Sequence, residues 1–168
     1  MKLALKFIAF AFLTIAPLST YAQSNVAHIN VQQLISEMPE VIAAQNELAK
    51  LEKDYTTQID NAFKEFQTKA QSYSADAANQ TDVTNQARQK ELESMQTNLQ
   101  EFRDSAAQEL QKKQMDLMTP LLEKARNAIT KVGQEQGFDY VIDASPNGGI
   151  ILADGKDLLA DVKKELGF

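Results

Sequence analysis

Two apolar series with three- and four-residue steps occupy most of the stretch from Pro39 to Gln136, and they constrain the fold more than any other feature. The first runs through Leu48, Leu51, Tyr55, Ile59, Ala62, Phe66, Ala70 and Tyr73, a spacing that puts all eight on one face of a helix. Between Ser74 and Asn85 it lapses into small and polar residues, which predicts a solvated turn with Thr81 or Asp82 capping the next helix. The second series begins at Leu92, Met95, Leu99, Phe102 and Ala106. It continues less regularly through Leu110, Leu117, Leu121, Ala125, Ile129 and Val132, interrupted at Lys112-Lys113-Gln114. Pro39 suits the first position of a helix. Pro120 should kink the second helix, Gly133 weakens its last turn, and Gly137 is placed to end it. At about 1.5 Å per residue the two arms reach roughly 50 Å and 80 Å, so the return helix should run on past the start of the first. The expectation is an antiparallel helical hairpin over residues 39–136 with its tip near 74–85.

The flanks read as a small base, built from residues 23–38 and 137–168. Val26-Ala27-His28-Ile29 has strand character. Asn30, three residues before Gln33, resembles half of a capping box, and Val31, Leu34, Ile35 and Met38 follow at helical spacing. Phe138 to Asp143 reads as a second strand. Ser145-Pro146-Asn147-Gly148-Gly149 reads as a turn returning it to Ile150-Ile151-Leu152 as a paired strand. Asp157 can cap a closing helix carrying Leu158, Leu159, Val162 and Leu166, ended by Gly167. The fold class is therefore α+β and predominantly helical: a long hairpin arm on a β-rich base.

Residues 1–22 are expected to be a secretory leader. Lys2 and Lys6 precede an apolar run from Phe7 to Ala16, interrupted by Thr14; Pro17 breaks it, and Thr20-Tyr21-Ala22 offers a cleavage site near Ala22. The run is too short for a permanent span, so no stable membrane insertion is expected once it is removed. The chain has no cysteine, which excludes thiol chemistry, cysteine-held metals and a lipidated amino terminus. Of the 17 basic side chains two lie in the leader, while none of the 23 acidic ones does. Such an acidic chain repels phosphate backbones, so nucleic acid is not an expected partner.

A base of this size buries too little apolar surface to stand alone comfortably. Its strands are nearly continuous apolar runs, which calls for cover on both faces and at the edges. Self-association follows, through Val26, Ile29, Val141, Ile142, Ile150, Ile151 and Leu152. Its number does not.

Three local stretches, in this order, carry a family resemblance: Met38-Pro39-Glu40 running into Ala43-Ala44-Gln45-Asn46-Glu47-Leu48; Pro120-Leu121-Leu122 through Ala128-Ile129 to Gly137-Phe138-Asp139-Tyr140-Val141-Ile142-Asp143; and Lys156-Asp157-Leu158-Leu159-Ala160-Asp161-Val162. Together they resemble the Skp/OmpH family of periplasmic chaperones over essentially the whole chain after the leader. The resemblance implies a homotrimer whose short strands join into a barrel. Three hairpins would then enclose a central cavity that holds unfolded outer-membrane proteins without ATP. The sequence departs from the basic members of that family. Residues 60–104 carry Lys64, Lys69, Arg88, Lys90 and Arg103 against eight acidic residues, with no positive charge expected around Asp76 and Asp82 at the tip. Lipopolysaccharide binding and electrostatic capture of acidic clients are therefore not expected.

Holding many sequences weakly calls for adaptable apolar contacts, and methionine supplies them. The candidate client-binding residues are Phe63, Phe66, Tyr73, Met95, Leu99, Phe102, Met115 and Met118; for Phe66, Leu99 and Phe102, on the stripes, zipping the hairpin is the favoured role, whereas Phe63 and Met118 lie beside the stripes and suit either role. Pro120 and Gly133 are candidate hinges, or else points of fixed curvature. His28, the single histidine, has no ligand spacing around it, so no metal or cofactor is expected. No phosphate loop or nucleophile motif is present, and no catalytic residue is assigned. The competing reading is an exported coiled-coil scaffold or adaptor with one dedicated partner.

Overall fold

A computed structural model describes residues 24–146 and 149–168, so the leader and the middle of the 145–149 turn lie outside the described residues. The chain opens with β1 (Val26–Ile29) and α1 (Val31–Glu37). Asn30 caps α1, its side chain accepting from the Gln33 N–H at 2.9 Å. The reciprocal half of the capping box is absent, because the Gln33 side chain donates instead to Glu37, one turn ahead.

Two long helices follow: α2 (Pro39–Asp76) and α3 (Asp82–Glu135), joined by a single 3₁₀ turn at Ala77–Asn79. Thr81 caps α3, accepting from the Thr84 N–H at 3.2 Å. The stripe read from the sequence is the seam: Leu48, Leu51, Tyr55, Ile59, Ala62, Phe66, Ala70 and Tyr73 are all half-buried on α2. On α3, Leu99 and Ala106 are buried, with Leu92, Met95, Phe102 and Leu110 half-buried between and around them. Polar rungs cross the same seam near its two ends, Asp76 to Arg88 and Tyr73 to Glu91 by the tip, Glu47 to Lys113 and Glu40 to Lys124 by the base. Outbound and return helices therefore stay in register through Pro120, where α3 runs unbroken. The 38 residues of α2 against 54 in α3 place the end of α3 below the start of α2, inside the base.

After α3 come β2 (Tyr140–Asp143), β3 (Lys156–Asp157) and α4 (Leu159–Leu166). The strand begins two residues later than the sequence implies. Gly137, at φ 74°, lets the Phe138 N–H close back onto the Gly133 carbonyl at 3.0 Å, so the helix end still holds Phe138. The sheet order is β2-β1-β3, with both pairings parallel. Parallel neighbours need a long crossover, and between β1 and β2 that crossover is the arm itself.

The hairpin expected at residues 145–152 does not form. Asp143 and Ser145 turn back to the start of α1: the Val31 N–H donates to Asp143 Oδ1 at 3.3 Å and the Gln32 N–H to Ser145 Oγ at 3.0 Å. The Ala144 N–H meanwhile donates to the Ile29 carbonyl. With these groups engaged the chain crosses to the far edge of β1, and Ile150, Ile151 and Leu152 lie outside any strand, exposed.

The core of the base gathers Ala27, Ile29, Leu34, Met38 and Val41 from the amino-terminal side. Ala125, Ala128 and Val132 join from α3, and Leu158 and Val162 from α4. Ile29 is 1% exposed within its own chain, which removes it from the expected assembly surface. The pleat decides this, since alternate residues of β1 face opposite ways. Ala27 and Ile29 point inward, Val26 and His28 outward.

Candidate binding arm and assembly face

The outward face of the sheet is largely apolar and only partly covered by the chain itself. The register sets Val26 beside Tyr140 and His28 beside Ile142, and Val26, Tyr140 and Ile142 are all exposed. Residues 150–155 run along this face and close a hollow of about 190 Å³ with His28, Ile142, Ile150 and Leu152 in its lining. His28 Nε2 lies 3.1 Å from the Gly155 carbonyl oxygen, so the lone histidine is tied to the strand's own surroundings. Ile151 is fully exposed. Of the seven residues expected to join subunits, Val26, Ile142, Ile150, Ile151 and Leu152 are presented outward. Ile29 is buried, and Val141 packs against the protomer core. Tyr140, not among those seven, shares this face, and period-2 alternation from Ile142 points to it. An apolar area of this kind on a soluble chain marks a contact surface.

The eight residues proposed on the arm divide by environment. Tyr55 meets Phe102 edge-on at 6.0 Å, which engages Phe102 in the seam, and Leu99 is buried between the helices. The Tyr73 hydroxyl donates to Glu91 Oε2 at 2.6 Å, and the Arg88 guanidinium lies over its ring at 4.7 Å. Met118 packs against the core of the base. Phe63 and Met115 are exposed. Phe63 stacks on Phe66 with centroids 6.5 Å apart, and the pair opens into a groove of about 450 Å³ that Leu99 and Arg103 also line. On the opposite side of the seam Met95 lines a second groove, of about 300 Å³, with Ala62 and Phe102. Val83 at the tip, and Ile42 and Leu122 near the base, are exposed apolar residues that lie off the stripes.

The tip differs from expectation in charge. Arg88 reaches back across the turn to Asp76 at 3.0 Å, so the tip contains a positive group that its distance along the sequence from Asp76 concealed. Arg88 holds the Asp76 carboxyl below the usual range, with help from Asn79 and Gln80. One level lower, Lys69 and then Tyr73 hydrogen bond to Glu91 and depress its carboxyl. The same bonds raise the Lys69 ammonium and the Tyr73 phenol. A hydrogen bond with Glu109 raises the Tyr55 phenol. The upper seam is thus held by charged and polar groups open to water, and each such contact is weak and screened by salt.

Of the hinge candidates, Pro120 is exposed on α3 between the Glu47–Lys113 and Glu40–Lys124 rungs. Gly133 is buried, and a Cβ built there would lie 2.7 Å from Val141 Cγ2. Glycine at this position lets α3 cross β2 closely. Among the described residues no group of histidine, aspartate and glutamate is arranged to hold a metal. None of their helices is long and apolar enough to cross a membrane.

The family model for OmpH-like outer membrane proteins matches residues 25–166. The chain belongs to the OmpH-like family. Its relatives include the chaperone protein Skp of Yersinia enterocolitica, 27% identical over 160 residues and covering 92% of this chain and 93% of the relative. Skp of Pectobacterium atrosepticum is 22% identical, with 90% of each chain covered. Among solved structures, an OmpH-like outer membrane chaperone from Caulobacter crescentus superposes with a TM-score of 0.75. It does so over 86% of this chain and 85% of that one, at 12% identity. At that identity the match speaks for the fold: a long hairpin on a small sheet. Members of the OmpH-like family are chaperones, not enzymes.

Proposed function

We propose that this OmpH-like chain is an ATP-independent periplasmic holdase. It assembles as a homotrimer, encloses unfolded outer-membrane proteins between its arms, and keeps them from aggregating before insertion. The observation that carries the reading is a two-helix arm of 38 and 54 residues raised on a base whose outer sheet face exposes Val26, Tyr140 and Ile142. Copies joined through Val26, Tyr140, Ile142 and Ile150-Ile151-Leu152 would cover that face and the two open sheet edges. Three arms would then rise from one joint. Their seams are only half-buried apolar stripes crossed by exposed polar rungs, which permits the arms to flex, and Pro120 removes one helical hydrogen bond just above the base. Grooves on both flanks of the seam, around Phe63 and Phe66 and around Met95, offer shallow apolar contacts. Exposed Met115 adds a readily repacking side chain. Many such contacts, each weak, hold a chain without trapping it.

The experiment dilutes several unrelated denatured outer-membrane proteins into buffer with and without the leaderless chain, and follows light scattering. Protection of most clients near one trimer per client is expected, unchanged by ATP. Protection of none would replace the holdase with a dedicated scaffold.

A further inference from the structure

The two flanks of the arm carry opposite charges at the same level, and this bears on what each flank holds. On one flank the stacked rings of Phe63 and Phe66 form one wall of the groove of about 450 Å³. Leu99 is its floor, and Gln96 and Arg103 stand on the facing helix. Arg103 is the single charged residue in that lining. On the other flank the groove of about 300 Å³ shares the Leu99 floor, and its single charged lining residue is Glu65.

Phe63 lies beside the apolar stripe that zips the hairpin. The seam on α2 passes through Ala62 and Phe66, and Phe63 stands one residue off it with 40% of its surface exposed. Arg103 is uncommitted. Lys69, Arg88, Lys113 and Lys124 each reach a carboxylate across the seam. Arg103 makes no ion pair among the described residues. Gln100 beside it is held by Asp104 at 3.0 Å, whereas the Gln96 amide is available to an extended backbone as donor and acceptor. A ring pair open on one side, next to a planar cation that binds carboxylates in a bidentate manner, fits one chemistry.

We propose that the groove formed by Phe63, Phe66 and Arg103 is a client subsite for an extended segment in which an aromatic side chain is followed by a carboxylate. The aromatic side chain extends the Phe63–Phe66 stack and the carboxylate meets Arg103. The subsite deepens the holdase reading and rests on it for its biological occupant. It also gives an acidic chain a short-range preference for acidic clients that its overall charge opposes at long range. The groove has the volume of a small ligand pocket, about 300–1,000 Å³, but lies open along the arm, so it takes one or two side chains of a passing chain.

The chain contains no tryptophan, so the fluorescence of a peptide tryptophan reports binding directly. The probes are short unstructured glycine- and serine-flanked peptides carrying Trp-Asp or Trp-Lys, titrated with the leaderless protein. Trp-Asp is expected to bind roughly three- to fivefold more tightly than Trp-Lys, the worth of one partly exposed ion pair. Arg103→Glu should invert that order, Phe63→Ser should weaken both peptides, and Glu65→Lys on the other flank should leave the order unchanged. Both Phe63 and Arg103 are on the surface, and circular dichroism verifies that each variant keeps its helices. An order unchanged in Arg103→Glu, or full affinity in Phe63→Ser, overturns the subsite. If aggregation is suppressed while the peptide order ignores Arg103, the subsite alone falls. If the peptide order holds while no client is protected, the subsite stands and the holdase reading falls.

Discussion

Replacing Gly133 by alanine tests whether this position is a hinge or a packing contact. In an ordinary helix the change stabilises by about 1 kcal/mol, because glycine has the poorer helix propensity. Here the new Cβ would sit 2.7 Å from Val141 Cγ2, against 3.4–4 Å for an ordinary contact. Val141 has little freedom to retreat: its β-branched side chain is stiff at χ1, and β2 is held to β1 through the Ala27–Val141 register. Overpacking of this kind costs about 1–3 kcal/mol. The net expectation is therefore a loss of about 1 kcal/mol, or roughly 2–4 °C in Tm for a chain of this size. Val141→Ala alone removes two half-buried methyl groups and should cost about 1 kcal/mol. In Gly133→Ala/Val141→Ala the clash is gone and the helix gain remains, so the double variant should be at least as stable as Val141→Ala. The coupling between the sites should be about 1 kcal/mol or more. The assay is thermal melting by far-ultraviolet circular dichroism of all four proteins at one fixed concentration, since association shifts the midpoint. A stabilised Gly133→Ala, or costs that simply add, would refute the packing argument and return Gly133 to the hinge reading.

Three further outcomes follow from other parts of the molecule. Burial pushes the Asp143 carboxyl up, but hydrogen bonds from the Ser145 hydroxyl, the Ser145 N–H and the Val31 N–H outweigh it and leave the group below the ordinary 3.8. A depressed carboxylate stabilises above its unfolded value and loses that contribution as pH falls through its folded one. Asp143→Ala should therefore cost about 1 kcal/mol at pH 6 and progressively less below about pH 4; urea melts in which the cost persists at the acid end would contradict the assignment. Glu91→Gln removes the anion shared by Lys69 and Tyr73. Amide exchange should accelerate on both helices above that level and stay slow in the base, and uniform protection would show that these rungs do not hold the tip. Ile151→Asp alters a fully exposed residue, so most of the helix signal should survive while the sedimentation mass drops toward that of one chain. A persisting trimer would place the joint elsewhere.

The arm was legible because helical periodicity is local. Every seam residue from Leu48 to Tyr73 follows from spacing alone, and so do the caps at Asn30 and Gly167, the last at φ 89°, whereas the choice of Thr81 over Asp82 was left to the fold. The division of the candidate client residues was not legible. Spacing already sets Phe66 on the stripe and Phe63 beside it, but only the position of the facing helix opens the groove that both rings line next to Arg103. Arg88 at the tip was missed for the same reason, since the turn that brings it to Asp76 closes 12 residues of chain.

The sequence by itself determined two long helices, where the turn between them falls, and which face of each is apolar, because these depend on residues one turn apart. The tertiary structure decided how the base is wired. Strand runs such as Phe138–Asp143 and Ile150–Leu152 carry no record of direction or neighbour, and the hydrogen bonds of Asp143, Ala144 and Ser145 to β1 and α1 set the parallel order β2-β1-β3 in place of a hairpin. That choice leaves Ile150, Ile151 and Leu152 outside any strand and exposed. A strand's partner is chosen by contacts far away in sequence, and only the folded chain contains them.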